Sequence, residues 1–176
     1  MRRLTDDERK AQFRQFTRSA LHLELRDRYA VSEEDERFSR FLATGRRDLE
    51  ADSRQRQWWL TLVRDATEAG KVIRRARVIS EPVTDYIRFE WAGSGLTVQA
   101  GEEIRWLARH RASTIAFPGN DFWLFDDSTA MFHLFTGDGE WIAAELTQDP
   151  SVVQLCRSAF ENVWRVAVPH HEYQPV

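Results

Sequence analysis

The residues best placed to do chemistry gather between positions 77 and 105: Arg77, Glu81, Asp85, Tyr86, Arg88 and Glu90, with Arg105 on a neighbouring predicted strand. Guanidinium and carboxylate groups at a strand end can hold a small anion, because ligands of open α/β sheets sit beyond the carboxyl ends of the strands. Ser80-Glu81-Pro82 occupies that position. A helix starting near Val83, with Pro82 suited to its first turn, would turn free N–H groups and the positive end of its dipole toward the same anion. The same residue types equally make an ion-pair network in which Arg88, Glu90 and Arg105 tie helix to sheet. Asp121 and Asp126, either side of Trp123, form a second candidate pair for acid/base work. Strand alternation sends Asp121 to one face and Asp126 to the other, so the two do not converge. Asp121 alone is kept, as a partner for a site arginine or as a loop residue bonding nearby backbone.

Other chemistries find no foothold. Metal sites draw His, Cys, Asp or Glu together in threes and fours, as in H-E-x-x-H or paired CxxC. The five histidines, His22, His110, His133, His170 and His171, are scattered, and Cys156 is the one cysteine. No metal or cofactor is therefore expected. Gly93-Ser94-Gly95 lacks the strand-loop-helix setting and the lysine of a phosphate loop, and Gly137-Asp138-Gly139 reads as a hairpin turn. Ser80, Ser94, Ser113 and Ser128 sit in no nucleophile elbow. Cys156 shares a helical face with Val152, Val153, Phe160, Val163 and Trp164, which marks a core thiol and not a nucleophile.

The elements that must position these groups follow from spacing. Thr5 with Glu8 makes a capping box for a first helix to about residue 18, and Leu21, Leu23 and Leu25 alternate with polar residues as a short strand. Ser32 and the acids after it open a second helix carrying Phe38, Phe41 and Leu42, ended by Gly45. The polar run 46–57 reads as a linker between an N-terminal helical segment, 1–45, and an α/β domain, 54–176. Beyond it come a helix from Gln57 to Gly70, a strand in KVIRRARVIS, a helix through EPVTDYIRFEW, a flexible AGSG stretch and a strand in GEEIRWL, with Ile104 and Trp106 inward. That order is a βαβ unit with a parallel pair. Three aromatic-rich strands separated by DDS and TGDG then form an antiparallel meander. Asp149 caps, and Pro150 opens, a closing helix to about Val166.

With 176 residues, 42% of them hydrophobic, and a net charge of −3, the chain is one soluble domain's worth of sequence. No apolar run approaches the roughly 20 residues that cross a bilayer, and the charged opening lacks a signal-peptide core, so a cytoplasmic protein is expected. Residues 1–114 carry +4 and residues 115–176 carry −7. This basic excess is too weak for a nucleic-acid binder, and no helix pair offers a basic recognition face. Among the seven tryptophans, Trp91 beside AGSG and Trp141 after the hairpin turn are expected to stay partly exposed and to anchor a partner protein.

The RARVIS strand, EPVTDYIRFE, GEEIRWL, PGNDFWLFDD and the closing AFENVWRVAVPHHEY together resemble an actinobacterial domain family of unknown function, encoded beside Xre-type helix-turn-helix regulators. The element order also resembles one half of a phospholipase D-like domain, of a degenerate kind. That second resemblance implies a histidine nucleophile with a lysine two residues later, so that imidazole attacks phosphorus while ammonium stabilises the charge that develops. Neither Lys10 nor Lys71 follows a histidine at that spacing. The expected fold is a mixed twisted α/β sheet with flanking helices, plus the N-terminal helical segment. The expected function is a non-catalytic regulatory or interaction module for a helix-turn-helix regulator, the partner the family resemblance implies, binding a small anion at Arg77, Glu81, Arg88 and Arg105. The alternative is an enzyme or toxin component acting on a phosphate-containing substrate through the same arginines with Glu81 and Asp121.

Overall fold

The computed structural model describes residues 1–30 and 34–176. Ser32 and Glu33, expected at the start of the second helix, lie outside the described residues. The elements, in chain order, are β1 (Arg2–Arg3), α1 (Asp6–Gln15), β2 (Ser19–Glu24), α2 (Asp35–Thr44), α3 (Leu49–Gln55), α4 (Gln57–Glu68), β3 (Val72–Ile79) and α5 (Asp85–Ala100). There follow β4 (Glu103–Ala108), a 3-10 turn (Arg109–Ala112), β5 (Phe122–Phe125), β6 (Thr129–Phe135), β7 (Trp141–Thr147), α6 (Pro150–Val166) and β8 (Val168–Pro169). All the strands lie in one mixed sheet, ordered β1-β7-β6-β5-β2-β3-β4-β8.

β2, β3 and β4 run parallel, and the meander β5-β6-β7 joins them through an antiparallel pairing of β2 with β5. The βαβ unit and the meander are as expected. The polar run read as a linker is not one: Asp48 caps α3, whose Asp52 is almost wholly buried. The strand ahead of it, β2, lies mid-sheet between β5 and β3.

Period-two alternation sorts the strands onto two covered faces. Leu21, Leu23, Ala76, Val78, Leu107, Phe122, Leu124 and Phe132 pack under α6 against Val153, Cys156, Phe160 and Val163. The opposite face lies beneath α1 and α4, where Phe13, Phe16, Leu60 and Val63 meet Ile73, Trp123 and Met131. Beneath α5, Ile87 and Phe89 meet Ile104 and Trp106, and the C-terminal Tyr173 stacks on Trp106. Ile104 and Trp106 point inward as expected. Leu107 is buried too, but on the α6 side, because both faces are covered.

Three local expectations change. α1 stops at Gln15, three residues early, because Asp126 accepts from the backbone N–H groups of Thr17, Arg18 and Ser19 and draws them toward the β5-β6 turn. α5 begins at Asp85 and not near Val83, capped by the Thr84 side chain, with Pro82 lying before the helix after a cis peptide bond. It then runs without a break through Gly93-Ser94-Gly95 to Gly101. The glycine at 93 makes room for a neighbour: a β-carbon there would stand 2.7 Å from the Arg47 guanidinium.

Candidate functional site

On the face away from α6, the sheet carries charge where a core would be expected. His22 and Glu24 alternate with Leu21 and Leu23 on β2, and Arg75 and Arg77 lie opposite them on β3. Trp123 of β5 pairs with His22 on the other side, and the N–H of His133 on β6 donates to the carbonyl of Asp121 at 2.8 Å. His22, Glu24, Arg75, Arg77, Asp121 and His133 line a cleft of about 710 Å³, completed by Tyr29, Glu34, Tyr86, Glu90, Phe135, Glu140 and Trp141, with Arg9 from α1. An adjoining cavity of about 320 Å³ shares Arg9, Glu34, Arg75, Arg77, Glu90 and His133. The volume falls within the range of small-molecule sites. A separate cavity of about 590 Å³, lined by Phe13, Phe16, Trp58 and Leu62 among others, is a more apolar groove between α1 and α4.

Most charges in the cleft are already matched. Arg77 Nε lies 2.7 Å from Glu24 Oε2, and its Nη2 donates to Glu90 Oε2 at 2.8 Å. Arg75 donates to Glu24, and to Glu102 Oε1 at 2.7 Å. Arg56 Nη2 reaches Glu90 Oε1 at 3.2 Å. Burial alone would raise the Glu90 carboxyl, but Arg56, Arg77 and Arg47 hold it down at about 2. The network fixes β2, β3, α4 and α5 relative to one another, since removing any one member would strand a buried charge.

The histidines are different. His22 is 6% exposed and stacks on Trp123 at 4.1 Å, yet neither ring nitrogen has a hydrogen-bond partner. Its Nδ1 stands 3.4 Å from Glu24 Oε1. His133 lies 5.7 Å from His22 between ring centroids, with Nε2 also unpartnered. Burial, then Arg75, push His22 well below the ordinary imidazole range. Burial, then Arg9 and Arg75, bring His133 down to about 3. Both rings are thus neutral at pH 7 and sit in a positive field.

The other end of the cleft has the opposite sign. Burial, with Glu24 nearby, raises Asp121 to about 6 even though the Tyr29 hydroxyl and the Leu25 N–H donate to it. Burial and Glu90 raise Glu34, whose Oε2 accepts from the Tyr86 hydroxyl at 2.9 Å. The cleft is therefore bipolar, with neutral imidazoles before arginines at one end and carboxyl-phenol pairs at the other.

Of the residues expected from sequence, Arg77, Tyr86, Glu90 and Asp121 meet in this cleft. The other four do not. Glu81 lies against the C-terminal segment, where it accepts from the Tyr173 hydroxyl at 2.8 Å. Asp85 is exposed on the first turn of α5. Arg88 reaches the Pro175 carbonyl at 3.4 Å. Arg105 alternates onto the α6 side, where it donates to the Trp164 carbonyl at 2.9 Å and lies over the Trp164 ring. The expected network of Arg88, Glu90 and Arg105 is therefore replaced by Glu90 with Arg47, Arg56 and Arg77. Trp141 is 42% exposed and lines the cleft. Trp91 is half-buried, packed beside the His170 ring against the cluster beneath α5, and does not line the cleft, while Trp58, at 47%, is the most exposed tryptophan.

His22, Glu24, Tyr29, Glu34, Arg75 and His133 were not singled out from the sequence. The signal for three of them, His22, Glu24 and Arg75, was present: polar residues at alternate positions of strands whose other face includes Leu, Ala and Val. Neither lysine lines the cleft, and Lys71 Nζ donates to the Phe16 carbonyl. Among the described residues no group of three or more His, Cys, Asp or Glu could hold a metal ion, and no helix is long and apolar enough to cross a membrane.

Among solved structures the chain is similar to Nuc from Salmonella typhimurium, a phospholipase D family member, with a TM-score of 0.51 and 10% identity over 92% of this chain and 90% of that one. NucT from Helicobacter pylori is more distant, with a TM-score of 0.45 and 10% identity over 90% of this chain and 86% of that one. At such identity the likeness is one of fold. No curated protein matches the sequence. The family model of a domain of unknown function, DUF6879, matches residues 7–175, which include the strands and helices that build this cleft, and the chain belongs to that family.

Proposed function

We propose that the cleft binds the phosphate group of a small ligand at His22 and His133. The observation that carries this is the buried His22 ring, with neither nitrogen partnered, beside the half-buried His133, whose Nε2 has no partner, both set in the field of Arg75, Arg77 and Arg9. A buried polar atom without a partner costs on the order of 1–3 kcal/mol, which an acceptor-rich anion would recover. Tetrahedral phosphate offers several acceptor oxygens to two rings at this separation. It would also favour their protonated forms, since an adjacent negative charge raises an imidazole's pKa. The structural neighbours include a phospholipase D family member, which is consistent with a phosphate-bearing ligand. Regulation through a helix-turn-helix partner belongs to the same proposal and rests on the family resemblance of the sequence.

The test is titration of inorganic phosphate into the full chain while the imidazole resonances are followed by NMR. The expected result is a saturable shift of the His22 and His133 signals, with both rings titrating at higher pH when phosphate is bound. Signals that stay fixed up to tens of millimolar phosphate would sink the proposal.

Turnover of a phosphate ester is a second reading, favoured by Asp121. A carboxyl at about 6, bonded to Tyr29, is near the range of a working general base. In that reading Asp121 takes a proton from water, the water oxygen bonds to phosphorus, and the ester oxygen departs and is protonated by solvent. Release of nitrophenolate from bis(4-nitrophenyl) phosphate, lost in Asp121→Asn, would establish it. Phosphate binding with no release would leave the binding-module reading.

A further inference from the structure

We infer that the cleft takes a mononucleotide, with its phosphate at His22 and His133 and its base stacked on Trp141 beside Glu140. This rests on the phosphate reading and deepens it. A phosphate would fill only a small part of a cleft of about 710 Å³. What remains is lined by rings: Trp141 stands 5.6 Å from Phe135 and 4.9 Å from His133, and Phe135 stands 5.2 Å from Tyr29. The indole is 42% exposed although it lines the cleft, so aromatic surface remains open to a ligand.

Arg9 lies over the same indole at 5.4 Å and lines both the main cleft and the adjoining cavity. One cation therefore lies near both the ring and the histidine end. Glu140 is exposed beside Trp141 and lines the cleft, a free carboxylate for the ring and exocyclic N–H donors of a base. An anionic group, a flat ring and hydrogen-bond donors on that ring are what this succession of surfaces would complement, and a mononucleotide combines them. Base stacking on an aromatic side chain also tolerates any base, so preference among bases would fall to Glu140.

The experiment is calorimetric titration of the full chain with AMP, GMP, CMP, UMP, ribose 5-phosphate and inorganic phosphate, repeated on Trp141→Ala and Glu140→Gln. At least one nucleotide is expected to bind about tenfold more tightly than ribose 5-phosphate, in keeping with one stacked base. Trp141→Ala is expected to erase that margin and leave ribose 5-phosphate unchanged, while Glu140→Gln changes the ranking of the bases. Equal binding of nucleotides and ribose 5-phosphate would overturn the inference while sparing the phosphate reading. So would a margin that survives in Trp141→Ala. If neither phosphate nor any sugar phosphate binds, the phosphate reading falls as well.

Discussion

The guanidinium of Arg47 lies against Gly93, 2.7 Å from where a β-carbon would stand, and 3.5 Å above the ring of Phe89. From there it pairs with Asp52 and donates to the Phe89 carbonyl at 2.7 Å, joining α3 to α5 behind the cleft. Two glycines of one helix should therefore respond oppositely to alanine. At Gly95 nothing lies within 4 Å, so Gly95→Ala should stabilise by up to about 1 kcal/mol through helix propensity. Gly93→Ala should instead destabilise by about 2 kcal/mol as Arg47 is displaced from a buried pair. Urea unfolding of the two variants decides it, and equal gains would mean that Arg47 moves aside without cost.

Glu90 answers three arginines at once. Glu90→Gln should cost about 3 kcal/mol, since it leaves Arg77 and its neighbours buried without the charge that compensates them. Because the folded carboxyl is depressed to about 2, its stabilisation is complete above about pH 4.5 and is lost as pH falls toward 2. Acid unfolding should accordingly be less steep in Glu90→Gln. An unchanged acid limb would place the sensitivity elsewhere.

The histidines and Asp121 have opposite signs of pH dependence. Imidazoles depressed in the fold contribute stability above about pH 6.5 that is lost as pH falls, for His133 through about 3. Asp121, raised to about 6, contributes most below about pH 4 and loses that contribution as pH rises through 6. Stability should therefore rise between pH 4 and 6.5 in the wild type. The rise should steepen in Asp121→Asn and flatten in a His22→Gln/His133→Gln double variant. Chemical denaturation across that interval measures all three slopes, and a double variant as steep as wild type would contradict the assignment.

Cys156 has no solvent exposure, and burial pushes its thiol up to about 12. Native protein should react with a disulfide reagent only as fast as it unfolds, whereas denatured protein reacts at once. Prompt labelling at pH 7 without unfolding would show that α6 opens locally.

The fold was legible wherever a single period dominates. Asp149-Pro150, Gly45 and the Thr5 capping box each mark a helix end by local chemistry, and all three stand where expected. The site was half legible. Arg77, Tyr86 and Glu90 were singled out for residue type near a strand end, and Asp121 as a carboxylate beside Trp123, but their company was misjudged. Glu81 and Arg105 belong elsewhere for geometric reasons: a hydrogen bond from the Tyr173 hydroxyl holds one at the C-terminal segment, and odd-even alternation puts the other on the far face. His22 escaped because β2 was read through its leucines, and its importance depends on partners about 50 and 100 residues downstream. The run 46–57 looked solvated because charge usually does. Its Arg47 and Asp52 neutralise one another, which composition cannot express.

β2 is the first long strand of the chain and stands mid-sheet, with β3 on one side and β5, a hundred residues later, on the other. During synthesis it must therefore wait, unpaired on one edge, until most of the polypeptide has been made. Such distant pairing slows folding, and an unpaired edge can recruit a neighbouring chain. His22 and Glu24 sit on that waiting strand, so the cleft is a late product of assembly, and no fragment ending before β5 can contain it.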